Sequence, residues 1–164
     1  MHSILFVCTG NVFRSVAAEY ALKARLVPES PYVVGSAGIA ALPQPFPPLI
    51  HHHLLEKGID PSQHVQRRLT RELLESTDLV VAMGLNHREF IRQHFDREVL
   101  LFNQVCFQKE EPILDVHEAV PQWDVNLVAA RDHIRSVIDH IWEAMPAFLA
   151  RLPHLSLPLT RQGV

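Results

Sequence analysis

The strongest constraint on the fold of this chain is that its short aliphatic runs do not alternate apolar with polar residues. "SILFVC" (3–8), "YVVGS" (32–36), "DLVVAM" (78–83) and "EVLLFN" (98–103) are each almost continuously apolar, which is the pattern of strands covered on both faces. A sheet with one wet face would show a period of two instead. Helical patterns lie between the runs: "SVAAEYALKARL" (15–26), "PPLIHHHLLEKG" (47–58), "TRELLEST" (70–77) and "NHREFIRQHF" (86–95). Strands alternating with helices predict an α/β fold, a parallel sheet with helices on both faces.

After Trp123 the apolar residues Leu127, Ala130, Ile134, Val137, Ile138, Ile141 and Met145 recur at helical spacing, so a long helix is expected to lay one face on the sheet. Pro146 is expected to kink or end it, because proline lacks the N–H that the ladder needs. "LPHLSLPLTRQGV", beyond Arg151, has no periodicity and reads as an irregular tail. With 164 residues, 48% of them hydrophobic, the chain has enough material for one core. The expectation is a single domain over 1–151 with a tail over 152–164.

Composition excludes several roles. No apolar stretch reaches the length of a membrane helix, and "SILFV" is too short and too charge-poor in front to be a secretion signal, so a cytoplasmic location is expected. A formal charge of -3 carries no basic excess for nucleic acid. Cys8 and Cys106 form no CxxC pair, so neither a disulfide framework nor a zinc site is suggested, and Cys106 reads as an inert thiol in a loop. "HHH" at 51–53 is not read as a metal site, since successive helical side chains point about 100° apart; a solvated face is expected.

The chemistry concentrates where the first strand ends, in "CTGNVFRS" (8–15). A strand that enters a helix through a glycine-containing turn can aim several N–H groups and the positive end of the helix dipole at one point. Gly10 takes positive φ freely and Asn11 tolerates it, so the turn can curl its amides inward. The lysine of a nucleotide-binding loop is missing. In its place stand a thiol, Cys8, and a guanidinium, Arg14. The helix terminus and the cation both favour thiolate, making Cys8 a nucleophile, while the planar fork of Arg14 can grip two phosphate oxygens. Ser15 can cap the helix or donate to the sulfur. The pattern points to phosphoryl transfer through a phosphocysteine.

Cys8, Thr9, Gly10, Asn11, Arg14 and Ser15 match in order the N-terminal signature of the low-molecular-weight protein tyrosine phosphatases, and "SAGIAAL" (36–42), "GIDPSQHVQRRLT" (58–70) and "DLVVAM" also resemble segments of that family. The likeness spans roughly residues 2–150, and "SAGIAAL" is similar to the bacterial branch. The resemblance implies a four-stranded parallel sheet flanked by helices, no metal and no cofactor. It also implies a phosphotyrosine protein as partner, with tyrosine kinases of bacterial capsule and exopolysaccharide export as the candidate class, and a monomer or weak dimer. By it Cys8 is the nucleophile, Arg14 the phosphate clamp and Ser15 the thiolate stabiliser. Thr9, Gly10, Asn11, Val12 and Phe13 line the phosphate with Arg14, and Asn11, Ser36 and His64 form a network that holds the loop in shape.

The general acid is where the chain departs. The family carries an Asp-Pro pair near the start of its last helix; here the stretch reads "ILDVHEAVPQWDVNLVAARDHI". Alignment without a gap sets Glu118 on the acid and Asp115 three residues ahead. A rival alignment makes Asp115 the acid but places Asp124 on the apolar face of the last helix. Either carboxylate can transfer a proton, since reach and pKa matter more than identity. The substrate rim implied by the resemblance comprises Val12, Leu42, Val120 and Trp123, although Trp123 could equally open the last helix as a core residue. Phe13 replaces a second loop cysteine found in many relatives, and Gly84 stands where an acidic residue is expected. A thiol-dependent arsenate reductase would need two further thiols downstream, and only Cys106 exists. The residues also leave room for a protein-arginine phosphatase on the same scaffold, or for a catalytically weak phosphoprotein-binding module.

Overall fold

The structure is a computed structural model that describes residues 1–155. The first strand, β1 (His2–Cys8), leads into α1 (Arg14–Lys23) and then β2 (Tyr32–Gly38). Two helices follow, α2 (Pro48–Glu56) and α3 (Arg71–Glu75), and then β3 (Leu79–Ala82) and α4 (Leu85–Phe95). The chain continues through β4 (Leu100–Leu101), α5 (Phe102–Phe107), α6 (Val116–Ala119) and α7 (Leu127–Arg151). The four strands pair in parallel in the order β2-β1-β3-β4.

The continuous apolar runs are explained by the two faces of this sheet. Ile4, Phe6, Leu79 and Val81 face one core, shared with α1, α2, α5 and α7, while Leu5, Val7, Val80 and Ala82 face a second, closed by Leu74 of α3 and Ile91 of α4. Over Ile4–Val7 and Leu79–Ala82 both faces are dry, so neither parity there has room for a polar residue.

Three expectations are corrected. "EVLLFN" is a strand only over Leu100–Leu101, because Phe102 already begins α5 and packs against Phe6 and Phe148. Cys106 therefore lies buried in a helix, not a loop. Pro146 does not interrupt α7, which runs on to Arg151. The carbonyl that the proline leaves without a helical donor, that of Trp142, instead accepts from Arg25 Nη2 at 2.8 Å, and the Arg25 guanidinium lies 3.8 Å above the Trp142 ring centroid. An external donor satisfies the carbonyl that a mid-helix proline ordinarily leaves unpaired.

Smaller differences follow from packing. On α7, Ala130, Ile134, Val137, Ile138, Ile141 and Met145 are buried as expected, but Leu127 is exposed. Leu152–His154 form a short 3-10 turn rather than irregular tail; residues 156–164 of the expected tail lie outside the described residues. The "HHH" run is not uniformly solvated, for His53 is buried between Glu56 Oε2 at 2.7 Å and Asp139 Oδ1 at 3.0 Å and ties α2 to α7. Among the described residues no helix is long and apolar enough to cross a membrane.

β1 is flanked by β2 on one side and β3 on the other, so its C-terminal end lies where the chain order reverses, the position at which open α/β sheets hold their ligands.

Candidate active site

The segment from Cys8 to Ser15 occupies that point. Only Asn11 within it takes left-handed backbone, φ 55°, whereas Gly10 does not use the freedom expected of it. Asparagine suits the place because its side chain can bond locally while the main chain turns. Gly38, at the end of β2, lets the loop settle on the sheet: a Cβ there would collide with the Thr9 carbonyl oxygen and lie 2.9 Å from the Asn11 nitrogen. The loop is also pinned by Ile39 N–H to the Cys8 carbonyl, 2.9 Å, and by Ala40 N–H to that of Thr9, 3.0 Å.

The side chain of Asn11 organises the site. Its amide donates to Ser36 Oγ at 2.8 Å and to Ser15 Oγ at 3.0 Å, and its Oδ1 accepts from Arg67 N at 3.1 Å and from His64 Nε2 at 3.2 Å. His64 Nε2 also lies 3.1 Å from the Asn11 carbonyl, so this nitrogen carries the proton. Ser36 passes its hydroxyl hydrogen to Glu19, a buried carboxylate paired with Lys23 Nζ at 2.5 Å. With a lone pair of Ser15 Oγ taken by Asn11, the Ser15 hydroxyl can direct its hydrogen at Cys8 Sγ, 2.8 Å away. A chain of bonds thus runs from Glu19 through Ser36, Asn11 and Ser15 to the Cys8 sulfur, at the start of α1. Burial of His64 lowers its pKa from the ordinary value, against the pull of Glu19.

Arg14 is only 1% exposed although it is charged. Its Nη1 donates to the Ile113 carbonyl at 2.8 Å and its Nη2 to Asp115 Oδ2 at 2.9 Å, with Glu118 Oε1 3.6 Å from Nη1. Its Nε–H is buried and has no protein partner among the described residues. An orphan donor on a buried cation is costly unless a ligand accepts from it. The guanidinium is thus held through Nη1 and Nη2, and its Nε–H has no protein acceptor among the described residues.

Asp115 and Glu118 are brought together at α6. Asp115 caps that helix, Oδ1 accepting from Val116 N at 2.7 Å, and its own N–H donates to Glu118 Oε1 at 2.9 Å. The preceding chain is anchored to the sheet through Ile113 N–H and the Met83 carbonyl, 2.8 Å. Both carboxylates therefore stand at the guanidinium of Arg14, Asp115 in direct contact and Glu118, its side chain 34% exposed, just beyond. Among the described residues no group of three or more His, Cys, Asp or Glu is placed to hold a metal ion.

This constellation has a counterpart in known proteins: residues 3–155 match the family described as low molecular weight phosphotyrosine protein phosphatase. The chain belongs to this family. Relatives include a protein-arginine-phosphatase of Bacillus subtilis strain 168, 44% identical over 96 residues, 57% of this chain and 63% of that protein. The low molecular weight protein-tyrosine-phosphatase Etp of Escherichia coli K12 is 35% identical over 116 residues, covering 68% of this chain and 76% of its own. Among solved structures, the YwlE arginine phosphatase with a phosphorylated active site serine superposes with a TM-score of 0.78 at 30% identity, covering 92% of this chain and 95% of that one. The alignment thus spans less than two thirds of the Bacillus relative's length.

Around this phosphatase-family loop the expected rim is only partly present. Val12 is half-buried and Leu42 and Trp123 are exposed, 62% and 48%, but Val120 is turned into the protein at 7% and is not available as a rim residue. Trp123 lies in the turn before α7 and does not enter the core; it lines a cavity of about 660 Å³ with Leu49, Val116, Leu127 and Asp115. Phe13 is buried and precedes α1, so only its main chain can reach a ligand. Sequence reasoning missed Glu19, Arg67 and His87. Glu19 was detectable as an acid four residues after Ser15, on the same helix face; Arg67 and His87 left no local signal.

Proposed function

We propose that this chain is a phosphoprotein phosphatase that hydrolyses phosphotyrosine through a phosphocysteine intermediate. The observation that carries the reading is the buried guanidinium of Arg14, whose Nε–H lacks a protein partner, in the loop that opens at Cys8. Cys8 Sγ, as thiolate, attacks phosphorus; the S–P bond forms, the P–O bond to the tyrosyl oxygen breaks, and Glu118 supplies that oxygen with its proton. Water then attacks phosphorus, Glu118 takes a proton from it, and inorganic phosphate leaves as the thiolate re-forms. Loop amides and the Arg14 fork follow the charge through both steps.

In this reading the two carboxylates divide the labour. Asp115, bonded to Nη2, keeps the guanidinium in register, and Glu118, farther from it, partly exposed and with only Oε1 tied to the Asp115 N–H, carries the proton. The substrate is a phosphotyrosine-bearing protein, with a bacterial tyrosine kinase as the candidate the family resemblance names. The site of action is the cytoplasm, where a nucleophilic thiol stays reduced. A second reading, protein-arginine phosphatase, draws on the 44% identical Bacillus relative; the apolar wall of Val12 favours an aromatic ring.

The test compares phosphotyrosine and phosphoarginine peptides side by side, with p-nitrophenyl phosphate as reference. The expected result is turnover by the native chain, none by Cys8→Ser, and a kcat/KM that favours phosphotyrosine. Preference for phosphoarginine selects the second reading. Phosphopeptide binding without turnover makes the chain a binding module.

A further inference from the structure

We propose that His87 is a positioning residue that fixes the Thr9 hydroxyl as a hydrogen-bond donor into the phosphate cradle. His87 belongs to the first turn of α4 and is fully buried, 78 residues from Thr9 in the chain. Its ring spans two loops: Gly84 N–H donates to Nδ1 at 2.9 Å, and Nε2 lies 2.9 Å from Thr9 Oγ1. A backbone N–H can only donate, so Nδ1 is bare and the proton of the neutral imidazole sits on Nε2. Nε2–H therefore occupies a lone pair of Thr9 Oγ1, and the hydrogen of the hydroxyl is directed away from the histidine.

Thr9 follows the nucleophile directly and is only half-buried; with a lone pair of its hydroxyl taken by His87, the hydroxyl hydrogen is the donor assigned to the phosphate. Two features keep the ring in this state. Burial, with the Arg14 charge nearby, pushes the His87 pKa down to about 3, so the imidazole stays neutral over the working range of a phosphatase. Gly84 also makes room: a Cβ there would stand 3.2 Å from Nδ1 and 2.9 Å from Asn86 Oδ1, forcing the ring or its neighbour to move. That gives a physical reason for glycine where the family resemblance leads one to expect an acidic residue.

The inference rests on reading the loop as a phosphate site, and the experiment separates the two. Binding of inorganic phosphate is measured by calorimetry, which needs no turnover, for the native chain, Thr9→Val, His87→Phe, the double variant and His87→Gln, with Tm recorded for each. The expected result is that Thr9→Val and His87→Phe each weaken phosphate binding about tenfold, that the double variant is no weaker than Thr9→Val alone, and that His87→Gln, which retains a donor, recovers most of the loss. Losses that multiply in the double variant overturn the proposal. On the unmodified protein, ring ¹⁵N shifts of His87 report the tautomer; a proton on Nε2 from pH 5 to 8 is expected, and one on Nδ1 refutes the argument even if His87→Phe fails to fold. A chain that binds phosphate with this coupling but hydrolyses nothing removes the proposed function and leaves the role of His87 intact.

Discussion

Replacing Arg25 by alanine is expected to destabilise the fold although Arg25 lies outside the active site, because it withdraws the donor that lets α7 pass through Pro146. Three contacts are lost: the Nη1–H bond to the Ala21 carbonyl, 3.0 Å, and, at Trp142, the Nη2–H bond to its carbonyl, 2.8 Å, and the guanidinium over its ring at 3.8 Å. A charged hydrogen bond to a carbonyl that the helix cannot otherwise satisfy is worth about 1.5–3 kcal/mol. A cation over an aromatic ring at a partly exposed site adds about 0.5–1 kcal/mol. Freeing the arginine side chain returns about 1 kcal/mol of rotamer entropy, which leaves a net loss of about 1–3 kcal/mol from the two Trp142 contacts, to which the lost Ala21 bond adds. Urea unfolding measures it as a fall in midpoint with unchanged slope. The decisive arm is a double-mutant cycle with Pro146→Ala, which supplies an N–H to the Trp142 carbonyl. In that background Arg25→Ala should cost about 1 kcal/mol less. Equal costs in both backgrounds would show that Arg25 does not substitute for the missing helical donor.

Glu118→Gln should cost about 100-fold in kcat on a phosphotyrosyl peptide and far less on p-nitrophenyl phosphate, whose leaving group needs no proton. Asp115→Asn should lower phosphate affinity and kcat on both substrates alike; the opposite pattern in steady-state kinetics reverses the two roles. Cys106, whose thiol burial pushes up to about 12, should resist iodoacetamide at pH 8 while Cys8 is alkylated, as peptide mass spectrometry would show. His87 has a native pKa of about 3 against the ordinary 6.5, so between these values the unfolded chain binds more protons than the native one. Stability should therefore fall as pH drops from about 6.5 towards 3, and His87→Gln should remove up to about 1.4 kcal/mol per pH unit of that slope in urea titrations.

What could be read from the sequence was what short-range physics determines. β1 and β3 were visible because both faces of each strand are covered, and Cys8, Arg14 and Ser15 because strand, turn and helix follow one another within a few residues. Asn11, Ser36 and His64 came from family likeness; isolated polar loop residues carry no pattern of their own. The structure adds why they matter, since a single amide, that of Asn11, connects Ser15, Ser36 and His64. The helical start at Phe102 was hidden because "EVLLFN" is equally apolar on either side of the change, and only packing against Phe6 and Phe148 decides it. Pro146 misled because the donor that rescues its helix, Arg25, is 117 residues from the Trp142 carbonyl it serves. His87 was invisible for the same reason: its bond to Thr9 is defined by the return of the chain to the end of β1.

The most direct test of the central claim, that the sulfur of Cys8 takes the phosphoryl group, is rapid acid quench during turnover of p-nitrophenyl phosphate followed by mass spectrometry of the Cys8 peptide. A phosphoryl group on Cys8 that forms within one turnover and decays at the rate of phosphate release is the predicted result. Turnover with an unmodified Cys8 at every quench time would contradict the account.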